Sequence, residues 1–360
     1  MNGRLDELVT AIRPADARSA RAARERHDEL AKPPGSLGGL ETLGVRLAAI
    51  AGACPPPVPA RPALIVAAGD HGVHAEGVTP WPQDVTAAVT SAICSGRAAS
   101  SVLAAQVGAS VDVLDVGVAA DLAPHDRLTD AKVRRGTRNL LHEDAMTIDE
   151  ATAAILAGAR LAQARIDDGT DVLVTGDMGI ANTTASACLV AAFTGAGADI
   201  VTGRGTGIDD GMLAHKVDIV ARAVERHSSR VLDAPMSGGQ RHTPSLATLA
   251  ALGGLEHAAL VGVILAGAAA RVPVVLDGVI ANAAAVAAAD LAPDTTGFLV
   301  AGHRSTEPGA AIALKHLGLD PLLDLDLRLG EGTGALLAVP LVRAAAAVLN
   351  DMATLAELGA

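Results

Sequence analysis

The sequence predicts an α/β protein: a parallel sheet flanked on both faces by helices, with a small helical domain formed from the two chain ends. Three observations point there. Short runs that are apolar at nearly every position recur along the chain, each ending abruptly in Gly, Asp or His. Alanine-rich segments of helical character separate them. The chain ends lack such runs and read as helical. A strand covered on both faces needs a continuous apolar run, and parallel neighbours need a crossover, usually helical, between them.

Residues 1–50 read as helices interrupted by the Pro/Gly loop "KPPGSLGG", after which Leu40, Leu43, Leu47 and Ile50 make an amphipathic stripe. "AGACPPPVPARP" reads as a linker, because three consecutive prolines cannot continue a helix. The strand candidates follow: "ALIVAAGDHGV" (63–73), "SVDVLDVGV" (110–118), "DVLVTGDMG" (171–179), "VPVVLDGV" (272–279) and "GFLVAGHRS" (297–305). "ADIVTGRG" (198–205) is a sixth. The last stretch, "GALLAVPLVRAAAAVLNDMATLAEL", is again helical, with Pro340 expected to kink or restart it. The expected division is residues 1–55 with 335–360 as the helical domain and 60–334 as the sheet domain.

Composition sets bounds. Half of the 360 residues are hydrophobic, enough for a large core, but there is one Trp, two Phe and no Tyr. Small aliphatic side chains must therefore fill the interior. A formal net charge of -12 argues against a nucleic-acid or anionic-membrane surface, both of which select basic faces. Cys54, Cys94 and Cys188 show no paired spacing, so neither a disulfide framework nor a zinc knuckle is suggested. The charged N-terminus lacks a signal-peptide core, and the longest apolar run, at 258–270, falls short of the ~18 residues that span a bilayer. A cytoplasmic protein is expected.

In open parallel sheets, ligands bind beyond the carboxyl ends of the strands. Here those ends carry Asp70, His71, Asp115, Asp177, Asp277, His303 and Arg304. "TGDMGIANTTASA" adds a glycine loop opening into an Ala-rich helix, where Asn182 and Thr183 suit either an ordinary cap or an anion. "GRGTGIDDG" is a second glycine-rich turn without the dinucleotide spacing, and Lys216 lies just beyond it. His71 and His74 with Asp70 and Glu76 raise a metal site, though the turn residues around Gly72 disfavour a helical ligand pair. Trp81, the lone tryptophan, suits the wall of a planar ligand's slot or a stray core position. "LRLGEGTGA" places Glu331 among glycines, on backbone that a small ligand can approach closely.

The ordered set "KPPGSLGGLE", "GDHGV", "WPQDVT", "GDMGIANTT", "GRGTGID", "HK", "LDG", "GHRSTEPG" and "LRLGEGTGA", spread over residues 32–335, resembles the nicotinate-nucleotide–dimethylbenzimidazole phosphoribosyltransferase family. The resemblance implies a homodimer of Rossmann-like domains that moves a phosphoribosyl group from nicotinate mononucleotide to 5,6-dimethylbenzimidazole, with no metal or other cofactor. It implies Glu331 as the catalytic base. Asp177, Gly179, Asn182, Thr183, Gly205, Gly207 and Lys216 would take the ribose and phosphate, and Trp81, Gln83, Met178 and Leu329 the acceptor base. Gly330 and Gly332 would keep the backbone slim against the flat ring. Three positions depart from the family's usual pattern: Asp177 stands where Glu is frequent, Ala181 where Gly is, and Trp81 where Tyr is common.

Overall fold

The computed structural model describes residues 2–233 and 243–359. Among the described residues, six strands form one sheet: β1 (Pro62–Gly69), β2 (Ser110–Gly117), β3 (Leu128–Asp130), β4 (Val172–Met178), β5 (Val274–Leu276) and β6 (Leu299–Ala301). All pairings are parallel and the spatial order is β3-β2-β1-β4-β5-β6. The order reverses between β1 and β4, so their carboxyl ends flank the crevice where such sheets take ligands. Every residue of β1 and β4 is buried, which is why both read as unbroken apolar runs.

Five of the six expected strands stand where the apolar runs are. The sixth does not. Ala198–Val201 is a single helical turn that buries Val201 and leaves Ile200 52% exposed. The remaining strand is β3, which pairs with β2 alone. Its three residues are half-buried or exposed. An edge strand of that length needs no apolar run, so periodicity had nothing to register.

The alternation along β1 divides the core in two. Ile65 and Ala67 face the layer containing helices Ile148–Asp167, Asn182–Thr194, Leu255–Ala269 and Val279–Leu291. Leu64, Val66 and Ala68 face Gly39–Ala51, Ala99–Val107 and Thr333–Asp351. Alanine and glycine in place of aromatics let these helices approach closely. A Cβ on Gly158 would run into the Ala259 carbonyl, and one on Gly262 into the Ile155 carbonyl.

Helices Asn2–Ala11, Ala17–Glu29 and Gly39–Ala51 occupy the N-terminal region. Thr333–Asp351 is a single helix with Pro340 inside it, rather than a helix that restarts there. It is long and apolar enough by composition to cross a membrane, at a mean hydropathy of 1.5. Yet Leu336, Val339 and Val342 are buried in the core that also holds β4 and β5 residues Val174 and Val275. That packing explains its apolar face.

Candidate active site

Two adjoining pockets open at the carboxyl ends of the strands. Asp177, Met178, Gly179, Asn182, Thr183, Gly205 and Leu329 line the first, beside Gly278, His303 and Glu307. Lys216 lines the second, which shares Gly179, Asn182, Thr183 and Gly205 with it. The two glycine-rich segments, around Gly179 and Gly205, thus meet at one cleft.

The side containing Lys216 is built on a helix start. The loop after β4 turns through Ala181, whose φ of 73° is left-handed and would suit glycine better. Helix Asn182–Thr194 begins immediately afterwards. Lys216 is buried, and its ammonium donates to Thr183 Oγ1 at 2.8 Å and to the Gly203 carbonyl at 3.1 Å. Burial lowers its pKa to about 8, opposed by the negative charge of Glu307. Glu307 Oε1 accepts from Gly205 N–H at 2.7 Å, so the same carboxylate fixes the second glycine loop. A cation held over a glycine-rich turn beside a helix N-terminus is suited to a phosphate.

The side containing Glu331 is built on strained backbone. Gly330, Glu331 and Gly332 are all left-handed, at φ 82°, 60° and 87°. A non-glycine residue held there is uncommon and costs about 1–2 kcal/mol. Asp277, at the end of β5, pins the turn: its carboxylate accepts from Gly332, Gly334 and Ala335 N–H at 3.1, 2.9 and 3.1 Å. His303 Nε2 lies 3.3 Å from the same carboxylate, which raises the imidazole pKa although burial opposes it.

The glycines beside Glu331 thus answer to the protein's own packing. A Cβ on Gly332 would strike Leu64 and press on the Thr175 carbonyl, and one on Gly330 would crowd the Asp177 carboxylate. Slimness toward a flat ligand is not what these contacts require; the left-handed turn and its seat on β4 are.

Glu331 is 8% exposed and its Oε2 accepts from Ser100 Oγ at 3.1 Å. Burial raises its pKa, donors from Ser100 pull it back, and the charge of Asp277 adds to the rise. Asp177 is pushed well above the usual carboxylate range by burial, and by Asp277 and Glu256 nearby, with only Asn182 opposing. Asn182 Nδ2 donates to Asp177 Oδ2 at 2.9 Å. A buried carboxylate of raised basicity can accept a proton from a ring N–H brought within hydrogen-bond reach.

Four residues named from the sequence do not line either pocket. Glu331 is one, although its neighbours Leu329 and Gly330 line the first. Gly207 is left-handed at φ 105° with open space around it. Trp81 is 47% exposed, and its carbonyl lies 2.9 Å from His74 Nε2. Gln83 is half-buried just before helix Val85–Cys94, whose Thr86 Oγ1 accepts from Ile180 N–H at 3.0 Å. His71 and His74 do not converge on one centre, because His71 pairs with Glu256. Ser100, Glu256 and Glu307 were not singled out for these contacts from the sequence. Glu307 had a faint signal, an acid just before Pro308 at a helix start; Ser100 had none.

A family model described as Phosphoribosyltransferase (DBI_PRT) matches residues 12–359. The chain is 51% identical over 369 residues to the nicotinate-nucleotide–dimethylbenzimidazole phosphoribosyltransferase of Salinispora tropica, covering 99% of this chain and 98% of that one. It is 50% identical over 355 residues to the enzyme of the same name from Chloroflexus aurantiacus, with the same coverage. The crystal structure of CobT from Thermus thermophilus superposes with a TM-score of 0.89 at 46% identity, covering 95% of this chain and 98% of that chain. With a family match across nearly the whole chain and relatives at this identity, the protein belongs to the DBI_PRT phosphoribosyltransferase family.

Proposed function

We propose that this protein transfers the phosphoribosyl group of nicotinate mononucleotide to 5,6-dimethylbenzimidazole, activating the lower base in cobalamin biosynthesis. The products are α-ribazole 5′-phosphate and nicotinate. One observation carries the reading: a buried carboxylate, Glu331, stands on the strand rim that also forms a pocket lined by Lys216, Thr183 and Gly205. In the transfer, a ring nitrogen of the base attacks C1′ while the bond to the pyridinium nitrogen breaks. The electron pair goes to that nitrogen, which leaves neutral, and Glu331 takes the proton from the other ring nitrogen. Lys216, Thr183 and the Gly205 loop hold the 5′-phosphate, with Gly207 at the loop's outer turn. Asp177, Gly179 and Asn182 face the ribose. Met178 and Leu329 line the acceptor side, and Trp81 and Gln83 close over it from the segment before helix Val85–Cys94.

Residues 1–55 and 335–360 form a helical unit over the sheet domain 60–334, a division supported by a small shared core of Ala23, Ala48 and Leu349. The protein acts as a cytoplasmic homodimer. Incubation with nicotinate mononucleotide and a panel of bases, followed by mass analysis, tests the reaction. α-Ribazole 5′-phosphate as the main product is expected; a clear preference for adenine or a phenol would keep the transfer and change the acceptor. No riboside phosphate from any base would overturn the reading.

A further inference from the structure

A second polar chain lies beneath the cleft, and the transfer does not use it. His71 follows β1, and Glu256 and His257 open helix Leu255–Ala269; all three are fully buried. Glu256 Oε1 is 2.7 Å from His71 Nε2 and 2.7 Å from His257 Nδ1. His257 Nε2 is 2.8 Å from Ser186 Oγ, on helix Asn182–Thr194. The Ser186 hydroxyl lies 3.1 Å from the Asn182 carbonyl, and Asn182 Nδ2 donates to Asp177 in the cleft. The run from His71 to Asp177 is continuous, joining the ends of neighbouring strands β1 and β4.

Backbone is bared to admit this network. A Cβ on Gly254 would collide with both the Glu256 carboxylate and the His71 ring. One on Gly179, a cleft residue, would strike the Gly69 carbonyl and meet the His71 ring at 3.4 Å. Burial opposes charge on Glu256, but the two imidazoles together hold its pKa below the ordinary value, so the carboxylate is ionised. Buried ionic groups are weak devices for stability alone, since apolar side chains of similar volume do as well. Their geometry therefore asks for another use. The same three side chains are near enough to bind a metal ion. However, separations of 2.7 Å are those of hydrogen bonds, whereas ligands on a tetrahedral zinc with ~2.0 Å bonds stand about 3.3 Å apart.

We propose that Ser186, His257, Glu256 and His71 act as a hydrogen-bonded strut that positions Asn182, and through it the Asp177 carboxylate, against the donor's ribose. These are positioning residues, and the proposal rests on the donor assignment above. Ser186→Ala removes one oxygen and is the mildest probe. Calorimetry with nicotinate mononucleotide is run on the wild type, Ser186→Ala, Asp177→Asn and the double variant, beside steady-state assays. Ser186→Ala is expected to weaken donor binding and kcat/KM about tenfold while KM for dimethylbenzimidazole moves less than about twofold. In the Asp177→Asn background the same change is expected to add less than about twofold, because coupled residues do not act additively. Fully additive losses, unchanged donor affinity in Ser186→Ala, or a stoichiometric metal in the purified protein would each overturn the strut. Failure of the wild type to bind the donor sinks the donor assignment itself; wild-type binding with additive losses sinks only the strut.

Discussion

The two halves of the cleft are held by different physics. On the side proposed to take the donor, Lys216 and Thr183 project from regular helices and hold each other by an ordinary hydrogen bond. On the side proposed to take the acceptor, Glu331 is the middle one of three consecutive left-handed residues that persist because Asp277 accepts from Gly332, Gly334 and Ala335 N–H. The difference teaches that a group needing only charge and reach can stand on unstrained backbone. The buried carboxylate proposed as the base is held instead by a turn the rest of the fold over-determines.

The comparison can be broken most directly at Glu331. Glu331→Gln keeps the turn and removes the base, so kcat should fall by about 10²–10⁴-fold with little change in donor affinity. Turnover near wild type would end the acceptor-side account. Asp277→Asn should come next, because the amide keeps only one of the two accepting oxygens and leaves at least one buried N–H group unpaired. A destabilisation of about 3 kcal/mol in urea titration is expected. In whatever folds, kcat should fall more than donor affinity does; equal losses of both would mean that the two halves are not separable.

Lys216→Met should act on the opposite half, lowering kcat/KM for nicotinate mononucleotide by about tenfold or more, with KM for the base nearly unchanged. The pH dependence sharpens this division. With its pKa lowered to about 8, Lys216 is charged below that pH and neutral above it, so donor affinity should fall as pH rises through about 8. Burial raises the Glu331 pKa, so the acid limb for the acceptor step should lie above the ordinary glutamate range of about 4.3. Loss of the alkaline limb in Lys216→Met, with the acid limb unmoved, is the expected result. The smallest effect belongs to Ala181→Gly, which relieves a left-handed alanine and should raise stability by less than about 1 kcal/mol in thermal unfolding.

Much of the frame was legible because burial leaves a mark on composition. β1 and β4 are covered on both faces, so they announce themselves as continuous apolar runs, and their polar ends mark the rim. β3 carries no such mark, being a three-residue edge. The single helical turn at Ala198–Val201 imitates a strand because two β-branched residues in a row look alike in either setting. Lys216 and Thr183 were named beside glycine-rich segments that punctuate the sequence. The partners that decide their chemistry were harder to see: Glu307 is 102 residues from the glycine loop it fixes, and Ser100 is 231 residues from Glu331.

By itself the sequence determined the parallel sheet, the rim of polar strand ends, and the single glutamate set among glycines, since local pattern and burial leave those traces in residue order. Only the tertiary structure decided that the glycines serve a pinned turn, that Asp277 does the pinning, and that His71 belongs with Glu256 and not with His74. Hydrogen bonds and ion pairs depend on distances between strand ends remote in sequence. No periodicity encodes such distances; the folded sheet creates them.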